Sequence, residues 1–102
     1  MTKKSEWPIG SYAIVRSKSA GVFAGVIKSF DGSSACILGA RRLWYWSGAA
    51  TLSQLAEEGV TKPYDCKFPQ PVECILVGEV VEVLKTSVLA RKSIESVAIW
   101  KA

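Results

Sequence analysis

Asp31-Gly32 separates two apolar, β-branched runs and is the strongest hairpin signal in the chain. Gly tolerates the positive φ that a two-residue turn needs, so the flanking runs are predicted to pair as antiparallel neighbours. The first of these runs is residues 22–30. The second starts at residue 35, reads as a strand to residue 38, and can continue to Trp46 with a bulge at Gly39. Upstream, residues 12–16 alternate, with Tyr12, Ile14 and Arg16 on one face and Ala13 and Val15 on the other. Residues 17–21 form the small-residue turn between these strands. Residues 73–85 are rich in Val and Ile and predict one long strand, bulged or bent at Gly78. Hairpins dominate this order, so the class is α+β: a small, mostly antiparallel sheet of four to five strands with two short helices.

The helices are punctuated in the sequence. Thr51 and Gln54 have capping-box spacing, and Leu52, Leu55 and Ala56 share one face. Gly59 followed by Val60 predicts a Schellman stop. Residues 87–97 predict a second amphipathic helix through Ala90, Ile94 and Val97. Residues 61–72 carry Pro63, Pro69 and Pro71 and read as a long loop, a kind of segment that often covers something or carries function. Residues 98–100 form a short apolar tail that can dock on the sheet. Residues 1–10 read as a loose N-terminal arm ending at Trp7-Pro8-Ile9-Gly10, with Trp7 placed to fold back. Residues 11–102 form a single domain.

Composition excludes several chemistries. The chain has no His, so a Ser-His-Asp or Cys-His arrangement is impossible, and most acid–base catalysis at neutral pH loses its usual group. Cys36, Cys66 and Cys74 cannot close a four-thiolate metal site within one chain. Neither a metal nor a cofactor is expected, and the chain is read as a non-enzyme. Cys36 reads as a small buried apolar residue, and a Cys66–Cys74 bridge across the Pro-rich loop is one option. The longest apolar stretch is too short to span a bilayer, which sets the expectation of a cytoplasmic protein with free thiols. The net charge of +4 leans on Lys3, Lys4 and Lys101 at the termini. Without them ten cations face nine anions, which weakens the case for an extended nucleic-acid surface.

The segment most unlike ordinary core is Arg41-Arg42-Leu43-Trp44-Tyr45-Trp46-Ser47-Gly48. Extended, it projects Arg42, Trp44 and Trp46 to one side and Arg41, Leu43 and Tyr45 to the other. Aromatic faces stack bases and Arg forks onto phosphate, so the string has the parts of a nucleotide site. It also has a structural reading, with a Trp as core anchor and the Arg side chains solvated. A second segment, residues 19–25 (SAGVFAG), supplies Gly21 and Gly25, which permit close approach by a ligand or a neighbouring backbone. Glu79 and Glu82, three apart on a strand, do not make an acid–base pair. The candidate ligand-binding set is Arg16, Ser19, Gly21, Arg41, Arg42, Trp44, Tyr45, Trp46 and Ser47.

With its SAGVFAG run and its ARRLWYWSGA string, the chain resembles a family of small, uncharacterised phage and prophage proteins over roughly residues 12–100. The resemblance implies a phage-encoded accessory protein acting in the cytoplasm of an infected bacterial host. It brings no activity with it. Small phage accessory proteins without catalytic residues often act by binding, and some sequester nucleotide signals. The leading expectation is therefore a binder of a small anionic, nucleotide-like ligand, in a pocket shared between subunits of a homo-oligomer. The alternative is a protein–protein inhibitor of a host enzyme or immune effector, and the third reading is a small basic nucleic-acid binder.

Overall fold

The computed structural model describes residues 7–102. Its strands are β1 (Tyr12–Ser17), β2 (Gly21–Phe30), β3 (Ala35–Arg42), β4 (Val72–Val77) and β5 (Val80–Lys85). The helices are α1 (Leu52–Glu58) and α2 (Val88–Ser96), with one 3-10 turn at Pro63–Asp65. The sheet order is β4-β3-β2-β1-β5 and each pairing is antiparallel. This is the small α+β fold the hairpin pattern predicts.

The predicted long strand over residues 73–85 is two strands, and they lie on opposite edges of the sheet. Only Gly78 and Glu79 separate them. Three peptide links span at most ~11 Å. The edges of a flat five-strand sheet would stand ~19 Å apart. The sheet must therefore curl until its edges meet at this bend. Hydrogen bonds hold the closure. Val80 N–H donates to Ser33 C=O at 2.9 Å, and Lys18 N–H donates to Glu79 C=O at 2.8 Å. The Ser17 hydroxyl, buried, donates to Gly78 C=O at 2.7 Å. Glu79 takes a left-handed conformation, φ 52°, to make the turn.

The β2–β3 turn sits one residue later than Asp31-Gly32 predicts. Asp31 N–H donates to Ser34 C=O at 3.1 Å, which puts Gly32-Ser33 at the centre, with Gly32 at φ 94°. The reason is the Asp31 carboxylate, which accepts the N–H groups of Ser33 and Ser34 at 2.8 and 2.6 Å. Those two bonds hold its carboxyl below the usual range.

Curling gives the sheet two cores. Ala13, Val15, Phe23, Ile27, Ile37 and Val77 fill the inside of the curl. Ile14, Leu43, Leu55, Phe68, Ile94 and Val97 lie between its outer face and the helices. β1 is thus buried on both faces through Ala13, Ile14 and Val15. Gly25 sits where β2 meets the bulge at Gly39. A Cβ on Gly25 would stand 2.6 Å from Ile37 Cγ2 and 2.7 Å from Leu38 O, so the close approach this glycine permits is to its own β3.

Both helices are capped at their starts, α1 by the residue its capping-box spacing predicts. Thr51 accepts from Gln54 N–H at 3.1 Å, and Ser87 accepts from Ala90 N–H at 2.9 Å. The Gln54 side chain reaches one residue further back, to Ala50 N–H at 2.9 Å. The stop of α1 departs from the Schellman pattern. Gly59 N–H returns to Leu55 C=O at 3.0 Å, but Val60 N–H donates to Ser93 Oγ on α2 at 2.9 Å. Packing between the helices has taken the donor that a Schellman turn would use.

Two further expectations change. The loop over residues 61–72 is not structureless, because it carries the 3-10 turn and a bridge from Lys67 to Tyr45. The tail docks on this loop rather than the sheet, with Trp100 N–H donating to Phe68 C=O at 3.0 Å. The expected arm lies largely outside the described residues. Residues 7–10 form a turn tied to β2 by Gly10 N–H on Ile27 C=O at 2.8 Å, and Trp7 is half-exposed. Among the described residues no helix is long and apolar enough to cross a membrane.

Gly25→Ala is expected to destabilise the protein by about 1–3 kcal/mol, since Ile37 and the β3 backbone must shift to admit a methyl group. Urea unfolding would measure it, and wild-type stability would disprove the packing account.

Candidate functional site

Arg41 and Arg42 are adjacent and have opposite fates. Arg41 lies on the face of β3 that meets the helices and is 4% exposed. Its guanidinium donates to Pro69 C=O from Nε at 3.1 Å, to Ile94 C=O from Nη1 at 2.9 Å and to Phe68 C=O from Nη2 at 3.1 Å. It also lies 5.5 Å from the centre of the Phe68 ring. Burial pulls its pKa below the ordinary Arg value, but the carbonyl oxygens solvate the cation in place of water. Arg41 thus ties β3, the Pro-rich loop and the end of α2 together. Each guanidinium nitrogen makes one of these bonds, and Arg41 is not among the residues that line the cleft on the other side of the strand.

Arg42 points outward. It packs 4.5 Å over the Phe23 ring, and Nη1 donates to Ala20 C=O at 2.9 Å. That bond draws the β1–β2 turn toward the end of β3. The two segments singled out in the sequence therefore meet. Ser19 and Gly21 from the turn, with Arg42, Leu43, Trp44 and Trp46 from the aromatic string, line one cleft of about 390 Å³. Arg42, Trp44 and Trp46 reach the cleft together, but not by strand alternation: β3 ends at Arg42, Leu43 lines the same cleft, and Trp46 packs on the helix-side core that Leu43 enters.

The two Trp residues differ in burial. Trp46 is partly buried against the helix-side core, whereas Trp44 is 59% exposed. One face of Trp44 is already covered. Trp100 stacks on it with ring centres 5.3 Å apart and planes 6° from parallel. Lys67 Nζ lies 5.5, 5.8 and 5.6 Å from the rings of Trp44, Tyr45 and Trp100. Sequence reasoning missed Trp100 and Lys67. The apolar tail signalled docking, but nothing in the sequence showed where.

The remaining candidates stand apart from the cleft. Arg16 pairs with Glu82 on β5 at 2.6 Å across the exposed face. Tyr45 does not line the cleft; it is held in a bridge to Lys67, whose ammonium also lies against Trp44. Ser47 is an anchor for buried Cys66, with Ser47 N–H on Cys66 Sγ at 3.4 Å and Cys66 Sγ facing Ser47 C=O at 3.7 Å. Burial pushes the Cys66 thiol up. At the cleft itself the electrostatics are mixed: Arg42 supplies a cation, while the Ser19 hydroxyl donates to the Glu79 carboxylate. Among the described residues no group of three or more Cys, Asp or Glu could hold a metal ion.

Two measurements follow. Arg41→Ala is expected to lower stability by about 3 kcal/mol, because three carbonyls on two segments lose a charged donor. An unchanged denaturation midpoint would overturn the clasp. Tyr12 packs against the helix-side core, and burial, reinforced by Glu95, pushes its phenol up to about 12. Below about pH 10 both folded and unfolded chains hold this proton. Between that pH and 12 the unfolded chain releases it first, so stability falls as pH rises. Tyr12→Phe should flatten that alkaline limb, read by thermal unfolding from pH 9 to 12.

No curated protein and no solved structure matches the chain. A family described as a domain of unknown function, DUF6948, matches residues 10–94, which takes in the cleft, the Arg41 clasp and all five strands. The chain belongs to the DUF6948 family.

Proposed function

We propose that this protein is a non-enzymatic binder of a small anionic, nucleotide-like ligand such as an immune signalling nucleotide, and that a phage or prophage uses it to sequester that ligand. The observation that carries the reading is the convergence of Ser19, Gly21, Arg42, Trp44 and Trp46 on one cleft. Its volume falls within the ~300–1,000 Å³ of small-molecule sites. The open face of Trp44 and the partly buried Trp46 ring stack a base or ribose, and Arg42 forks onto phosphate. Glu79 beside Ser19 repels a phosphate there, so the polar edge of the ligand faces the turn and its charge faces Arg42. The cleft is a shallow feature of a small chain, so a second copy supplies the missing wall and the working unit is a homo-oligomer. The family resemblance carried by SAGVFAG and ARRLWYWSGA supports the phage setting and the host cytoplasm.

Calorimetric titration with cyclic mononucleotides, cyclic dinucleotides and cyclic ADP-ribose-type molecules tests this reading. Binding by at least one class is expected, with Arg42→Ala and Trp44→Ala each weakening it about tenfold or more while the fold stays intact. No heat from any class, under conditions where a control binder responds, would sink it.

One observation favours a second reading, inhibition of a host protein. Trp44, Tyr45, Ile99 and Trp100 are all at least half or nearly half exposed around the Trp44–Trp100 stack. Exposed aromatic clusters of this kind anchor protein interfaces. Trp100→Ala separates the two, since it strips this ledge without removing a cleft-lining residue.

A further inference from the structure

Cys36 on β3 and Cys74 on β4 stand with their sulfurs 3.0 Å apart. The strands pair with Cys36 opposite Leu76 and Leu38 opposite Cys74, so the two cysteines are diagonal neighbours on the outer face of the sheet. Sheet twist shortens one diagonal of an antiparallel pair and brings such side chains into reach. Cys36 is only partly buried, not the core residue its sequence context predicts, and Cys74 is exposed. The Cys66–Cys74 pairing considered from the sequence is not the one the fold makes, because Cys66 is buried against Ser47 and Lys62.

We propose that Cys36 and Cys74 form a reactive dithiol, a site of reversible oxidation whose co-substrate is a low-molecular-weight disulfide. Exposed Cys74 attacks first. Its thiolate takes one sulfur of the small disulfide, that S–S bond breaks, and one small thiolate leaves. The Cys36 thiolate then attacks Cys74 Sγ and expels the second small thiolate. The two protein thiols are oxidised to one disulfide, the small disulfide is reduced to two thiols, and the two protein protons end on those thiols. A disulfide needs sulfurs about 2.05 Å apart, so closure asks for ~1 Å of approach across one strand spacing. The product clasps the edge strand β4 to β3, upstream of which the Pro-rich loop receives Arg41. Lys28 lies near enough to draw the Cys74 charge, while Glu73 opposes it. The contact with Cys36 holds the Cys74 thiol above its ordinary value, so the reaction is run at about pH 9, near or above the usual thiol range.

The test is incubation of the full chain with oxidised glutathione, followed by thiol titration and mass mapping of the unreduced digest. The expected result is loss of two of the three thiols, loss of two hydrogens in mass, and a peptide link between Cys36 and Cys74 that dithiothreitol reverses. In Cys36→Ser the second attack has no nucleophile, so glutathione should remain on Cys74. A stable glutathione adduct on wild-type Cys74 would overturn the proposal. So would three thiols left free, or a bridge that uses Cys66 or joins two chains.

Discussion

The connection of β4 to β5 through two residues is the constraint on which the rest of the structure depends. It allows no flat arrangement of five strands whose first and last members are so joined. Closure turns one sheet face into an interior filled by Phe23, Ile27 and Ile37, and leaves the other to be covered by α1, α2 and the Pro-rich loop. It also fixes the β1–β2 turn, because Ser17 and Lys18 bond to the bend itself. The cleft is built on that turn, so its floor is as well placed as the closure that holds it.

Arg41 performs the matching task on the helix side. Its planar fork reaches carbonyls on segments distant in sequence, which a single apolar side chain could not specify by direction. The loop over residues 61–72 is ordered by this contact and by the bridge to Tyr45, and the tail then pairs with the loop. Order thus passes outward from β3 to the loop, from the loop to the tail, and from the tail to the stacked Trp100 beside the cleft.

Much of this was legible in the sequence where local chemistry decides. Thr51 caps α1 as its spacing predicts, and Gly39 marks the bulge. Long-range geometry was not legible. Nothing local to Gly78 tells a bend within one strand from a crossing between opposite edges. Nothing local to Arg41-Arg42 tells which of two identical side chains faces carbonyls and which faces solvent, because that depends on which face the helices cover. The Asp31 turn shows the boundary between the two cases: the turn was predicted, but its centre moved by one residue once the carboxylate chose its donors.

The opposed placement of the two arginines has a consequence for how such a protein can diversify. Position 41 joins its own strand to the Pro-rich loop and to α2, so change there is felt across the helix side of the fold. Positions 42 and 44 sit at the rim, outside both cores. Substitution at the rim therefore leaves the scaffold's packing largely untouched. The Arg-Arg pair divides the chain's mutational freedom between neighbouring residues, one held by architecture and the other open to selection.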